Sequence, residues 1–353
     1  MEFTKKSKLK NMYVNMNVAR MLSKINEYKG RQLLYKKQPK EILENLEKKS
    51  LVDCSESTYI GNQRDSSNFN LEKLISNEVT PRSREELSIV EYRDVVKTIN
   101  SAYESIPISS QTILELHGYL YKFSSTRGGS YKSDNDFIEH NLKPSEFISI
   151  DSSGNKVEKA VEEICEAYNT LIEEDEIDIL ILISAFVLDF ILIHPFKEGN
   201  IKMARVLILL LLNKNGYEVG RYISLGKIFD DSSYEYYSNL NYLKASIGSE
   251  KADMNAWIEY FLETILTAYE KLDDSLNISD KKRQTKTSRI EKIINSTLGY
   301  FTKEDIRDLC PDIPEPTINR VFNNLRKQDK IEVVARGRSA KWKKKILKKC
   351  LDN

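Results

Sequence analysis

Within the twelve residues HPFKEGNIKMAR, from His194 to Arg205, the chain gathers an imidazole, a carboxylate, a Gly-Asn turn and two cations that could act on a phosphate. His194 suits a general base, because imidazole titrates near neutrality and can take a proton from an attacking hydroxyl. Glu198 offers an oxygen to Mg²⁺, a hard cation that takes carboxylate and phosphate ligands together. Gly199 and Asn200 open a helix whose free amides and positive dipole end favour an anion. Lys202 and Arg205, three apart on that helix, are expected to lean over the same anion.

Two apolar segments must position these residues: DILILISAFVLDFILI before the motif, from Asp178 to Ile193, and VLILLLLNKNG behind it, from Val206 to Gly216. The first is long enough for a helix, and Pro195 just past its end is a common stop. They run to about 16 residues, Asp189 included, and about 10, against the ~20 that span a bilayer. With Glu198, Lys202 and Arg205 between them, they read as core helices, and no membrane partner is expected.

HPFKEGNIKMAR resembles the Fic motif, H-x-F-x-[D/E]-G-N-G-R-x-x-R, whose proteins mostly transfer AMP from ATP to a hydroxyl side chain of a target protein. The resemblance implies that His194 is the base, Phe196 the anchor of the loop in the core and Glu198 the Mg²⁺ ligand. Gly199 and Asn200 would cradle phosphate, with Ile201 and Lys202 following in the same turn, and Arg205 would contact the distal phosphates. Two positions depart. Ile201 stands where the family has glycine, putting a β-branched side chain where phosphate approaches the backbone. Lys202 replaces an arginine, keeping the charge but losing the planar two-pronged donor. The cofactors implied are ATP and Mg²⁺, and the partner is a protein bearing Ser, Thr or Tyr.

Charged residues make up 30% of the 353, with a net charge of +1, and mean hydropathy is negative; a soluble chain of two or three domains is expected. The opening residues MEFTKKSKLKNMYVNM lack the apolar core of a secretory signal. Cys54, Cys165, Cys310 and Cys350 show no metal or disulfide spacing. A reducing cytoplasm fits both features. From Lys281 to Cys350 there are 20 Lys+Arg against 8 Asp+Glu, a net +12, leaving 34 against 45, or −11, elsewhere. The tail therefore suits an acidic partner.

Residues 1 to about 50 read as an extended arm or strand followed by helical material, clearest over Lys40 to Ser50. Cys54 to Gln63 resembles the segment that, in a large Fic subclass, forms an inhibitory helix of pattern S-x-x-x-E-G/N. Ser57, Thr58, Tyr59 and Ile60 fit, but Gly61 or a deletion stands at the glutamate, so the resemblance implies a missing brake; an ordinary Ser/Gly-rich turn fits equally. Residues 64 to 82 read as a loop. Helices are expected over Ser83 to Ile106 and Ser109 to Phe123, with His117 a packed or surface histidine.

The stretch RGGSYKSDNDFIEH reads as a short hairpin and is similar to the Fic flap, which clamps the target peptide; Gly129, Tyr131, Lys132, Asn135 and Ile138 fit that pattern, and a plain surface hairpin is the alternative. Helices follow over Lys156 to Ile172, Arg221 to Phe229, Asp231 to Ser246 and Ala252 to Leu272. In the family a residue of the tyrosine-rich stretch stacks on adenine; Tyr236 and Tyr237 are the candidates, though tyrosines at helical spacing are more often core.

The tail reads as a linker, a helix over Arg289 to Ser296, a helix starting at Phe301, a turn at PDIPEP, a third helix TINRVFNNLRKQDK and a two-stranded wing. This resembles a winged helix-turn-helix. Arg320, Asn323, Asn324, Arg326 and Lys327 would enter the DNA major groove, with Arg336, Arg338, Lys341 and Lys343 on phosphates; use of the module for protein contacts or dimerisation is equally open. A second copy of the chain is a further candidate partner.

The fold expected is mainly α: a Fic-type helical bundle with a small β-hairpin flap, plus a C-terminal winged helix-turn-helix. Its parts are an N-terminal helical region over 1–107, a Fic domain over 108–274, a linker over 275–288 and a winged-helix domain over 289–353. The function implied is protein adenylyl transfer, impaired by Ile201 and Lys202. The competing reading is a catalytically inactive, Fic-like nucleotide-sensing or DNA-binding regulator.

Overall fold

The computed structural model describes residues 3–57, 71–123, 128–133, 154–246, 253–276, 286–296, 300–310, 313–328, 330–335 and 340–344. The chain divides into two compact units, Met1–Leu276 and Asn277–Asn353. The N-terminal helices and the motif-bearing residues thus share one body.

In the first unit the helices are α1 Lys6–Lys10, α2 Met16–Tyr35, α3 Lys40–Ser57, α4 Leu71–Ile75, α5 Arg84–Ala102, α6 Ser110–Leu120, α7 Gly154–Glu174, α8 Ile179–Ile193, α9 Asn200–Lys214, α10 Val219–Tyr222, α11 Leu225–Asp231, α12 Ser233–Ser246 and α13 Asn255–Ser275. The helical material expected before residue 50 comprises α1, α2 and the start of α3, and α4 falls inside the stretch read as a loop. That short helix was hidden because five residues carry too little periodicity to show one.

Local chemistry sets the starts. Ser83 and Glu86 form a reciprocal capping box on α5, and Asn15, Ser109 and Asp178 accept from the first-turn amides of α2, α6 and α8. α8 is apolar on every side and buried from Leu180 to Ile193, which marks the centre of the core. Helices α7, α9 and α13 pack around it. Trp257 of α13 donates its indole N–H to the Ser184 carbonyl at 2.9 Å, pinning α13 to α8.

One charged residue interrupts that core helix. Asp189 is 2% exposed and accepts from the Thr4 amide at 2.8 Å, the Thr4 hydroxyl at 2.6 Å and the Phe3 amide at 3.0 Å. A buried carboxylate must be compensated, and the N-terminal segment does this while burying Phe3 completely. Among the described residues no helix is long and apolar enough to cross a membrane.

The second unit contains α14 Lys286–Ser296, β1 Tyr300–Phe301, α15 Lys303–Leu309, α16 Glu315–Lys327, β2 Ile331–Ala335 and β3 Lys341–Lys344. The strands form an antiparallel sheet in the order β1-β3-β2, pairing Phe301 with Trp342 and Val333 with Trp342. The helix expected to begin at Phe301 begins at Lys303: Thr302 and Asp305 close a capping box, and the two residues before it pair as a strand. Phe301, Phe322 and Trp342 meet edge-on at the centre of a core that also takes Ile290, Ile306, Val321 and Ile331.

Candidate active site

α8 ends at His194, which adopts a left-handed conformation (φ 50°, ψ 62°) while its amide still donates to the Phe190 carbonyl at 3.1 Å. That conformation is costly for a residue with a Cβ, so the surroundings must impose it. Lys132 holds both flanks: its amide donates to the Pro195 carbonyl at 2.9 Å and its ammonium to the Ile193 carbonyl at 3.3 Å. The ammonium also lies at the negative end of α8. Lys132 is 5% exposed, so its side chain faces inward, where the flap reading had it meeting a target.

Phe196 is fully buried. Its peptide is clasped by Asn200, whose side-chain oxygen accepts from the Phe196 amide at 2.9 Å and whose NH₂ donates to the Phe196 carbonyl at 2.7 Å. The amide of Asn200 thus closes the loop on itself, and an anion would meet the amides of the first turn of α9. Gly199 precedes that turn with φ 77°, and a Cβ there would collide with the Tyr121 ring and hydroxyl. Both the conformation and the contact demand glycine.

His117, on α6, supports the loop from beneath. Its ring stacks on Phe196 with centroids 3.7 Å apart and planes 1° from parallel. Nδ1 accepts from the Gly129 amide at 3.1 Å, and Nε2 lies 3.1 Å from the Glu198 carbonyl oxygen. An amide can only donate and a carbonyl only accept, so His117 is neutral with its proton on Nε2. Burial pushes its pKa down to about 4, with the Glu198 carbonyl pulling the other way. Tyr131 also packs on Phe196, with ring centroids 5.6 Å apart, and donates to the Ser110 carbonyl at 3.2 Å.

The two cations expected to share an anion diverge. Lys202 donates to the Ser88 hydroxyl of α5 at 2.8 Å, with its ammonium 5.5 Å from the Tyr121 ring and 6.0 Å from that of Tyr92. Burial lowers its pKa to about 8, partly offset by Glu91. Arg205 pairs instead with Asp230 of α11, which together with neighbouring tyrosines keeps the guanidinium charged against the cost of burial. The reason is geometric: 60° apart on α9, the two long side chains find partners on different neighbouring helices.

Beside the start of α9 lies a cleft lined by Ile201, Arg205, Asp230, Tyr236, Tyr237 and Trp257. It encloses about 30 Å³, space for water, whereas ligand sites run to roughly 300–1,000 Å³. Tyr236 is 8% exposed and packs among Phe229, Trp257 and Tyr260, so of the two tyrosines it belongs to the core. Tyr237 is half-buried on the cleft wall. Ile201 narrows the same cleft.

Residues 107–212 match the family model described as Fic/DOC family. They are a Fic/DOC domain. The Fic fold extends beyond them. A Fic family protein from Desulfovibrio desulfuricans superposes with a TM-score of 0.58 at 16% identity, covering 95% of this chain and 97% of that one. A Fic domain containing signaling protein from Bacteroides thetaiotaomicron gives 0.58 at 15% identity over 74% of this chain and 98% of its own. A fragment of Fic-1 from C. elegans gives 0.54 at 18% identity over 73% and 72%. No curated protein matches the sequence.

Within the Fic domain, His194, Glu198, Gly199, Asn200, Ile201 and Lys202 share one loop and helix start, with Arg205 one turn on. Tyr131 and Lys132 of the expected flap lie against that loop and Gly129 against α6, while Asn135 and Ile138 fall outside the described residues, as do residues 58–61 of the inhibitory-helix reading. Among the described residues no cluster of three His, Cys, Asp or Glu side chains could by itself hold a metal. A single carboxylate at Glu198 fits Mg²⁺ that arrives with phosphate ligands. The residues that sequence reasoning missed are Ser88, Tyr121 and Asp230, each from an element distant in the chain, and the supporting role of His117, whose only signal was its burial on an apolar helix.

Proposed function

We propose that the Fic domain transfers the AMP of ATP to a Ser, Thr or Tyr hydroxyl of a target protein, at a site weakened by Ile201 and Lys202. The observation that carries this reading is the loop from His194 to Asn200, closed by the Asn200 clasp, with His194 in a left-handed turn at its start and α9 opening at its end.

In this reading His194 takes the proton of the attacking hydroxyl, whose oxygen bonds to the α-phosphorus as the bond to the bridging oxygen of pyrophosphate breaks. The first-turn amides of α9 receive the charge that develops on the phosphate oxygens. Mg²⁺ held by Glu198 and the phosphates would neutralise part of that charge. To reach the distal phosphates in this reading, Arg205 would have to leave Asp230, with which it pairs on the wall of the cleft.

A second reading, an inactive Fic-like regulator, is favoured by one observation: the Lys202 ammonium is engaged by the Ser88 hydroxyl of α5. Incubating the protein with α-labelled and, separately, γ-labelled ATP in lysate separates AMP transfer from phosphotransfer. The α label alone should reach a protein, and His194→Ala should abolish it. No labelling together with no nucleotide affinity by calorimetry refutes the transferase. Ile201→Gly with Lys202→Arg should raise the signal at least tenfold; an unchanged rate would mean that these two residues do not limit the site.

A further inference from the structure

We propose that the second unit binds duplex DNA, with α16 in the major groove and β3 on the phosphate backbone. This is independent of the transferase reading. Helix α16 has two opposed faces. Ile318, Val321, Phe322 and Leu325 are buried in the core of the unit. At 100° per residue the opposite stripe is Pro316, Arg320, Asn323 and Lys327, flanked by Asn324 and Arg326; all six are exposed.

The composition of that stripe favours nucleic acid over protein. It has no large apolar side chain, whereas protein interfaces are built on aromatic and aliphatic anchors. Its arginine and asparagines are the side chains that pair bidentately with guanine and adenine edges. The helix, 13 residues or about 20 Å long, enters a groove ~12 Å wide. Its one acidic residue, Glu315, sits at the N-terminal end and pairs with Arg307 at 3.2 Å.

The sheet adds a second contact. Along β3, Trp342 points into the core while Lys341 and Lys343 are exposed on the other face. The strand order β1-β3-β2 makes β2 and β3 a wing beyond α16, with two lysines spaced along it for successive phosphates. Of the nearby acids, Glu332 pairs in register with Lys343, and Glu304 and Asp305 lie at the start of α15. The excess of +12 between Lys281 and Cys350 outweighs them.

The test uses the full chain and a fluorescent pool of duplexes about 30 base pairs long with a randomised centre, followed by anisotropy from roughly 50 to 200 mM salt. The expected result is binding whose log affinity falls linearly with log salt, together with enrichment of a subset of sequences. Lys341→Ala with Lys343→Ala should lower the steepness by about two, since each phosphate contributes ~0.9. Arg320→Ala or Asn323→Ala should weaken binding to the enriched duplex roughly 5–150-fold with little change in that slope. Double-stranded RNA should compete poorly, because its major groove is too narrow for a helix. No binding at ~50 mM salt by protein shown folded by circular dichroism would overturn the proposal. So would binding that the Arg320 and Asn323 variants leave unchanged, or a dimer that those variants dissociate while DNA stays unbound.

Discussion

Replacing His117 by glutamine should remove about 2 kcal/mol of the stability that the first unit loses on acidification. The imidazole is 2% exposed, accepts from the Gly129 amide and donates to the Glu198 carbonyl. A second proton would have to sit on Nδ1, facing an N–H donor. The folded-state pKa is therefore about 4 against an ordinary 6.5. A depressed histidine pKa means that the unfolded chain binds the proton first. Its contribution is full above pH ~6.5 and is lost as pH falls toward ~4. Between pH ~7.5 and ~5 the loss comes to about 2 kcal/mol, at 1.36 kcal/mol per pH unit. Glu91 and Asp53, whose carboxyls burial pushes up, act with the opposite sign but are common to both proteins and cancel in the difference. The assay is urea denaturation at the two pH values, followed by Trp257 fluorescence in a Trp342→Phe background so that only the first unit reports. The variant should be less stable at pH ~7.5, by about 1–3 kcal/mol for the broken hydrogen bonds, and should lose about 2 kcal/mol less than the parent on acidification. Equal losses in both proteins would refute the neutral, doubly engaged histidine.

Three further outcomes follow from the same loop and its neighbours. Asp230→Asn should tighten ATP binding by roughly 5–150-fold in calorimetry, because Arg205 would no longer be held by a carboxylate; unchanged or weaker binding would show that the pair does not compete with nucleotide. Lys132→Met should cost about 1.5–3 kcal/mol in denaturation and lower kcat for AMP transfer while leaving ATP affinity within about twofold, since the ammonium holds the Ile193 carbonyl next to His194 and is not placed on the cleft. Thr4→Val, which removes a 2.6 Å hydrogen bond to a buried carboxylate, should cost about 1.5–3 kcal/mol; a change below ~0.5 kcal/mol would mean that the Phe3 and Thr4 amides suffice.

The motif helices were legible because periodicity and punctuation agree there. Asp178 caps α8, Pro195 stops it, and Gly199 with Asn200 opens α9. The fate of single polar side chains was not legible, because each depends on an element remote in sequence. Asp189 could be seen as a lone carboxylate in an apolar run, but its partners lie about 185 residues earlier. The spacing of Lys202 and Arg205 suggested a shared anion, yet Ser88 and Asp230 claim them separately. β1 escaped because two residues carry no periodicity, and its hydrogen bonds run to β3, some 40 residues on.

The two departures from the Fic motif fall on side chains that the loop does not use to hold its shape. His117 supports the Glu198 carbonyl, Lys132 the carbonyls of Ile193 and Pro195, and Asn200 the Phe196 peptide. None of these bonds involves the side chain of Ile201 or Lys202. The loop is therefore over-determined at one set of positions and free to change at another. A change at Ile201 or Lys202 leaves the bonds that hold the loop intact. Ile201→Gly with Lys202→Arg should accordingly change the transfer rate far more than stability. Glycine in the first turn of α9 costs about 1 kcal/mol, and loss of the Lys202 bond to Ser88 adds about 1–2 kcal/mol. A collapse of folding in that double variant, as opposed to this modest loss, would show that Ile201 and Lys202 help to build the loop after all.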